Sequence, residues 1–123
     1  MKTKEEGHFY VIMTWKTVMP EGGSAEERDS LLLEFQEAVT KKNEKILSSR
    51  NLRHYYGSDL RDWVVITEYE TWADIEEAGK IGDELCKQKW PDEEERKEYF
   101  RKIMKYFSTH SDEIYKDLPK FGK

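Results

Sequence analysis

The chain has 123 residues, with 21 basic and 26 acidic side chains, a formal net charge of −5 and an aromatic content of 13%. That acidic balance argues against nucleic acid as a partner, and the aromatic content excludes an intrinsically disordered chain. No stretch approaches the ~20 apolar residues of a membrane span, so the expected product is one soluble domain over 8–123, behind a disordered tail at 1–7.

The first predicted strand is His8–Val18. Phe9, Val11, Met13 and Trp15 alternate onto one face, and Tyr10, Ile12, Thr14, Lys16 and Val18 onto the other. Met19–Ser24 carries a proline and two glycines and reads as a loop. Ser24 with Glu27 three residues on forms a capping-box signal, and the helix it opens is expected to run to about Ser48. Leu32, Phe35, Val39 and Ile46 keep helical spacing along it.

A β-hairpin over Asn51–Glu70 is expected next, with its turn at Ser58–Arg61. If Gly57 pairs with Asp62, then Tyr56 faces Trp63, His54 faces Val65 and Leu52 faces Thr67, with Tyr69 on the same side. The opposite face then holds Arg53, Tyr55, Val64, Ile66 and Glu68, and Arg53 and Glu68 become a diagonal ion pair. Both faces of the hairpin carry large apolar groups, whereas a sheet in water normally wets one of them.

Thr71 with Asp74 starts a second helix, weakened by Gly79 and Gly82, each costing roughly 1 kcal/mol relative to alanine. Trp90-Pro91 breaks it. Asp92 and Glu95 cap a third helix with an apolar stripe of Tyr99, Phe100, Ile103, Met104 and Phe107. Ser108–Asp112 reads as a break, and Glu113–Leu118 as a short closing edge strand stopped by Pro119. The lone cysteine, Cys86, excludes an intramolecular disulfide and falls on a helical apolar stripe, as a buried structural thiol would. The N-terminal residues lack an apolar run of signal-peptide type, so a cytoplasmic setting is expected unless a signal has been removed.

The element order is β-α-β-β-α-α-β, a ferredoxin-like α+β unit with one extra helix before the last strand. In such a unit the helices cover one face of an antiparallel sheet. The other face would expose apolar groups here, and a homodimer that packs two sheets together is the simplest cover.

Several residues are candidates for chemistry. His54, mid-strand on the aromatic face, is the candidate catalytic base. Trp15, Tyr56, Trp63, Thr67 and Tyr69 are candidate lining for a small-molecule cavity. His8 and His110 have no companion at metal-ligand spacing, so no metal site and no cofactor are expected. Gly57-Ser58-Asp59 lacks a nucleophile-elbow pattern.

The element order, the His-Tyr-Tyr-Gly-Ser (54–58) and Trp-Val-Val-Ile-Thr-Glu-Tyr-Glu (63–70) hairpin, and the Thr-Trp-Ala-Asp (71–74) that follows resemble the dimeric α+β barrel superfamily. That group includes antibiotic-biosynthesis monooxygenase-like and stress-responsive barrel proteins. The resemblance implies a homodimeric barrel, and its members range from cofactor-free oxygenases, haem-degrading enzymes, isomerases and lyases to proteins without known activity. Fold alone does not choose among them. The haem-degrading branch uses Asn, Trp and His; this chain offers Asn51, Trp63 and His54, which do not align onto that motif. The expectation is a dimer binding a small apolar or aromatic molecule between sheet and helices. The alternatives are a cofactor-independent monooxygenase-like enzyme with His54 as base, and a structural or regulatory dimer without ligand.

Overall fold

The computed structural model describes residues 7–123. Of the tail expected at 1–7, all but Gly7 lies outside the described residues. Gly7 itself is buried: a Cβ there would lie 1.8 Å from the Asp117 carbonyl oxygen.

Four strands and three helices alternate as β1 (Phe9–Thr17), α1 (Ala25–Ala38), β2 (Ser48–Arg53), β3 (Asp62–Tyr69), α2 (Trp72–Lys89), α3 (Glu93–Met104) and β4 (Phe107–Lys116). All strand pairs are antiparallel, and the sheet order is β2-β3-β1-β4. This is the expected ferredoxin-like α+β arrangement. Among the described residues, no helix is long and apolar enough to cross a membrane.

β1 alternates as its sequence dictates. Its Phe9, Val11, Met13 and Trp15 pair in register with Tyr69, Thr67, Val65 and Trp63 of β3, so all eight share the face that the helices cover. Phe9 meets Trp72 of α2 edge-on at 5.7 Å. Between sheet and helices, Trp90 stacks on Tyr99 at 4.2 Å, and Val39, Ile103, Tyr106 and Phe107 complete the most buried cluster. Tyr99 donates its hydroxyl to the Leu31 carbonyl of α1 at 2.5 Å. Burial pushes that hydroxyl well above its ordinary pKa. Tyr106 ties the start of α1 to the end of α3: it accepts from the Ser24 backbone N–H at 3.1 Å and donates to Glu27.

The first helix ends ten residues earlier than its spacing suggests. Asn43 is the cause. Its buried amide donates to the Ala78 carbonyl of α2 at 2.9 Å, and its oxygen accepts the Lys45 N–H at 3.2 Å. That pins a short 3₁₀ turn, Thr40–Lys42, and releases the chain into β2. The Ser24 cap forms as expected, but Glu27 turns to Tyr106 and does not close a box. The Thr71–Asp74 capping box of α2 does form. In α3 the Asp92 side chain accepts from the Glu94 N–H.

Helix α2 tolerates its glycines without needing them. A Cβ on Gly79 would meet nothing within 4 Å, and one on Gly82 would stand 3.8 Å from Asn43 Nδ2. Cys86 is half-buried against the core, and burial pushes its thiol up.

The closing strand is longer than expected. β4 starts directly after α3, and the segment read as a break is a β-bulge: Trp15 pairs with His110 but Thr17 with Phe107. One extra residue on β4 bends the strand without interrupting it.

None of α1, α2 and α3 covers the second sheet face, and Leu118 and Phe121 of the C-terminal segment border it beside Tyr10 and Ile12. It carries Tyr10 and Ile12 in the middle beside Val64 and Ile66, with Leu52 and Tyr115 towards the two edges. Leu52 is 47% exposed and Tyr115 54%. The sheet therefore has two apolar faces, as the hairpin sequence implies.

Candidate functional site

Between the sheet and helices α1 and α3 lies a cavity of about 350 Å³. Its floor is Met13 and Trp15 of β1, with Trp63, Val65, Thr67 and Tyr69 of β3. Ser49 and Asn51 extend that floor along β2. Leu32, Phe35 and Gln36 of α1 and Thr40 and Ile46 beyond it form one wall. Tyr99, Phe100, Ile103 and Met104 of α3 form the other, and Phe107 closes one end.

No ionised side chain is part of this lining, and seven of its members are aromatic. Trp15 and Trp63 both meet Phe107 edge-on, at 5.4 and 6.3 Å. Burial raises the hydroxyl pKa of Tyr69 above its ordinary value. The polar lining is Ser49, Asn51 and Thr67 on β2 and β3, with Gln36 and Thr40 on the α1 side. Ser49 pairs in register with Thr67, and Asn51 with Val65. The Trp63 indole N–H donates to Asn51 Oδ1 at 2.9 Å. Arg28 of α1 holds its guanidinium 5.2 Å from the centre of the Trp63 ring and contacts Asp29 at 3.0 Å.

The hairpin register differs from the one expected. Arg53 pairs with Trp63, Leu52 with Val64 and Asn51 with Val65. This is a three-residue slip, and an odd slip moves every β2 side chain to the opposite face. Ser49 and Asn51 therefore take the cavity positions, and Leu52 turns to the open face. Arg53 and Glu68 stand on opposite faces and make no ion pair; Glu68 is instead bonded to His8, Ser48 and Tyr10.

The slip comes from the turn. Asp59 accepts the Arg61 backbone N–H at 2.9 Å, both Arg61 guanidinium contacts, and Lys16 Nζ at 3.1 Å. Arg61 and Lys16 hold the Asp59 carboxyl well below the usual carboxylate range. Lys16 also pairs with Asp62. This knot fixes the end of β3 to β1, so residues 54–61 become a loop rather than a tight turn.

Trp15, Trp63, Thr67 and Tyr69 are thus brought together in the cavity, whereas Tyr56 is not. Tyr55 and Tyr56 are each 94% exposed at the loop tip. His54 also lies outside the lining, beyond the end of β2. Its backbone N–H bonds the Asp62 carbonyl at 3.0 Å, its Nδ1 is buried without a hydrogen-bond partner, and a Cβ on Gly57 would lie 3.1 Å from its Nε2. The lining residues that the sequence reading missed are Ser49 and Asn51. Matching Leu52 to Val64, two apolar residues that share the open face, is the signal that would have found them.

No protein-family model matches the chain, and no curated protein does. Solved structures match over nearly its full length. A dimeric ferredoxin-like protein from an uncultured marine organism superposes with a TM-score of 0.64 at 13% identity, covering 100% of this chain and 98% of the other. A putative antibiotic biosynthesis monooxygenase from Caulobacter crescentus gives 0.58 at 13% identity, covering 92% of each chain. SnoaB, a cofactor-independent oxygenase from Streptomyces nogalater, gives 0.52 at 8% identity, covering 89% and 91%. At these identities the likeness is one of fold: the chain has the ferredoxin-like α+β fold.

Proposed function

We propose that this protein is a homodimer that binds a small, uncharged, apolar or aromatic molecule in the cavity between its sheet and helices. The observation that carries the reading is the lining itself: about 350 Å³ bounded by seven aromatic side chains and no charge. Small-molecule sites run from about 300 to 1,000 Å³ and are mostly apolar with a few placed polar groups. The homodimer is supported by the apolar open face and by neighbours of the same fold described as dimeric.

An oxygenase reading draws only on the descriptions of neighbours at 8–13% identity. His54, its expected base, is absent from the cavity lining, so the binding reading is preferred.

The test is titration with a neutral fluorophore, phenylnaphthylamine. Wild-type protein is expected to bind it with micromolar affinity. Met104→Trp, which fills the cavity from the half-exposed last turn of α3, is expected to abolish the signal. Equal binding by both proteins, or none by the wild type, sinks the reading.

A further inference from the structure

The cavity's polar lining is Ser49, Asn51 and Thr67 on the sheet side with Gln36 and Thr40 across from them, and one member of the sheet-side edge has a fixed orientation. An indole N–H only donates. Trp63 Nε1 lies 2.9 Å from Asn51, so the Asn51 oxygen must face the indole. The assignment of amide O and N, usually ambiguous, is here dictated by the partner's chemistry. The Asn51 –NH₂ group is left as the exposed end of the side chain, and it has no hydrogen-bond partner among the described residues.

Asn51 lines the cavity, so this places a pair of oriented donors at the β2 edge of a mostly apolar chamber. The hydroxyls of Ser49 and Thr67 continue the polar edge along the strands. A hydroxyl rotates to donate or accept, so it does not discriminate; an amide held at its oxygen does. A carboxylate ligand is disfavoured, because no cation is available in the lining to repay its desolvation.

We infer that the ligand presents an uncharged hydrogen-bond acceptor, a ketone, ester or amide oxygen, to the Asn51 –NH₂, with its apolar body against Trp15, Trp63 and Phe107. Asn51 is then a specificity-determining residue, and Trp63 a positioning residue that acts through it. This rests on the binding reading above and narrows it to a ligand class.

The experiment compares benzophenone with diphenylmethane, which differ in the carbonyl and otherwise share size and rings, each displacing phenylnaphthylamine. A neutral hydrogen bond to a preoriented donor corresponds to a preference of up to about tenfold, and the wild type should favour the ketone by that order. Asn51→Asp keeps an acceptor for the indole but replaces the donor. It should abolish or reverse the preference between the two compounds, which is the ratio the experiment reads. Trp63→Phe keeps a ring but frees the Asn51 amide to rotate, and should reduce the preference to about twofold or threefold. Equal affinity of the two compounds for the wild type, or an unchanged preference in Asn51→Asp, overturns this inference and leaves the binding reading standing. Failure of both compounds to displace the fluorophore from a wild type that binds it also overturns this inference alone. Only failure of the fluorophore itself brings down both.

Discussion

Trp63 and Asn51, on adjacent strands, are joined by a 2.9 Å hydrogen bond from indole N–H to amide oxygen. The bond exists because β2 pairs with β3 in a register that puts Asn51 opposite Val65, diagonal to Trp63. It joins one of the two indoles of the cavity floor to the one amide on that floor. Any shift of the register would separate the pair, so the cavity's polar edge is a direct product of strand pairing.

The phenol of Tyr106 is expected to matter more for stability than its place at the end of α3 suggests. It is 1% exposed, and its hydroxyl serves both Ser24 N–H and the Glu27 carboxylate. Tyr106→Phe keeps the ring and strands both partners. Chemical denaturation should show a loss of about 1–3 kcal/mol. An unchanged unfolding midpoint would mean that water replaces the hydroxyl at no cost.

Acid sensitivity should centre on Glu68. Hydrogen bonds from His8 at 2.7 Å and Ser48 at 2.7 Å, with Tyr10 at 3.2 Å, hold its carboxyl below the ordinary value. A lowered folded-state pKa means that the folded protein binds fewer protons than the unfolded chain. The stabilisation is therefore fully present above the ordinary glutamate pKa of about 4.3 and disappears as pH falls through the lowered folded value. In unfolding titrations at a series of pH values, Glu68→Gln should show a flatter decline than wild type below pH ~4.3. Parallel curves would show that these bonds contribute no pH-dependent stability.

The open face should hold two copies together. Ile66 sits there between Ile12 of β1 and Arg50 of β2. Ile66→Lys would place a charge in each half of a twofold interface, without a partner of opposite sign being introduced. Sedimentation velocity at micromolar concentration should show a dimer for wild type and a folded monomer for the variant. A wild-type monomer, or a variant dimer of equal affinity, would show that this face is not the interface.

Helix α2 offers a stabilising change. Gly79 lies in its interior with open space where a Cβ would be. Gly79→Ala should add about 1 kcal/mol, which for a chain of this size raises the melting temperature by about 4 °C. A fall in melting temperature would mean that the glycine serves a contact made only in an assembly.

Local chemistry was enough to read the element order, the alternation along β1, the Ser24, Thr71 and Asp92 caps and the apolar stripe of α3 as far as Met104, whereas Phe107, expected on that stripe, opens β4. Each depends on residues a few positions apart, whose side chains are placed by the repeat of a strand or a helix. The fold followed, because that order of elements is met by one antiparallel sheet with its helices packed on one face. Three features were decided by residues distant in the chain. Asn43 reached Ala78 and ended α1 early. Lys16 reached Asp59 and Asp62 and set where the hairpin turns. The β4 bulge arose where the strand had to stay paired with β1 beyond Trp15. The hairpin register was the most consequential. When both faces of a strand pair carry apolar groups, either parity buries hydrophobic surface, and the period-two pattern loses its power to choose. The choice fell to an ion-pair knot spanning 43 and 46 residues of sequence. That knot put Asn51 rather than His54 or Tyr56 beside Trp63, because electrostatic contact acts through space and leaves no mark on the spacing of neighbouring residues.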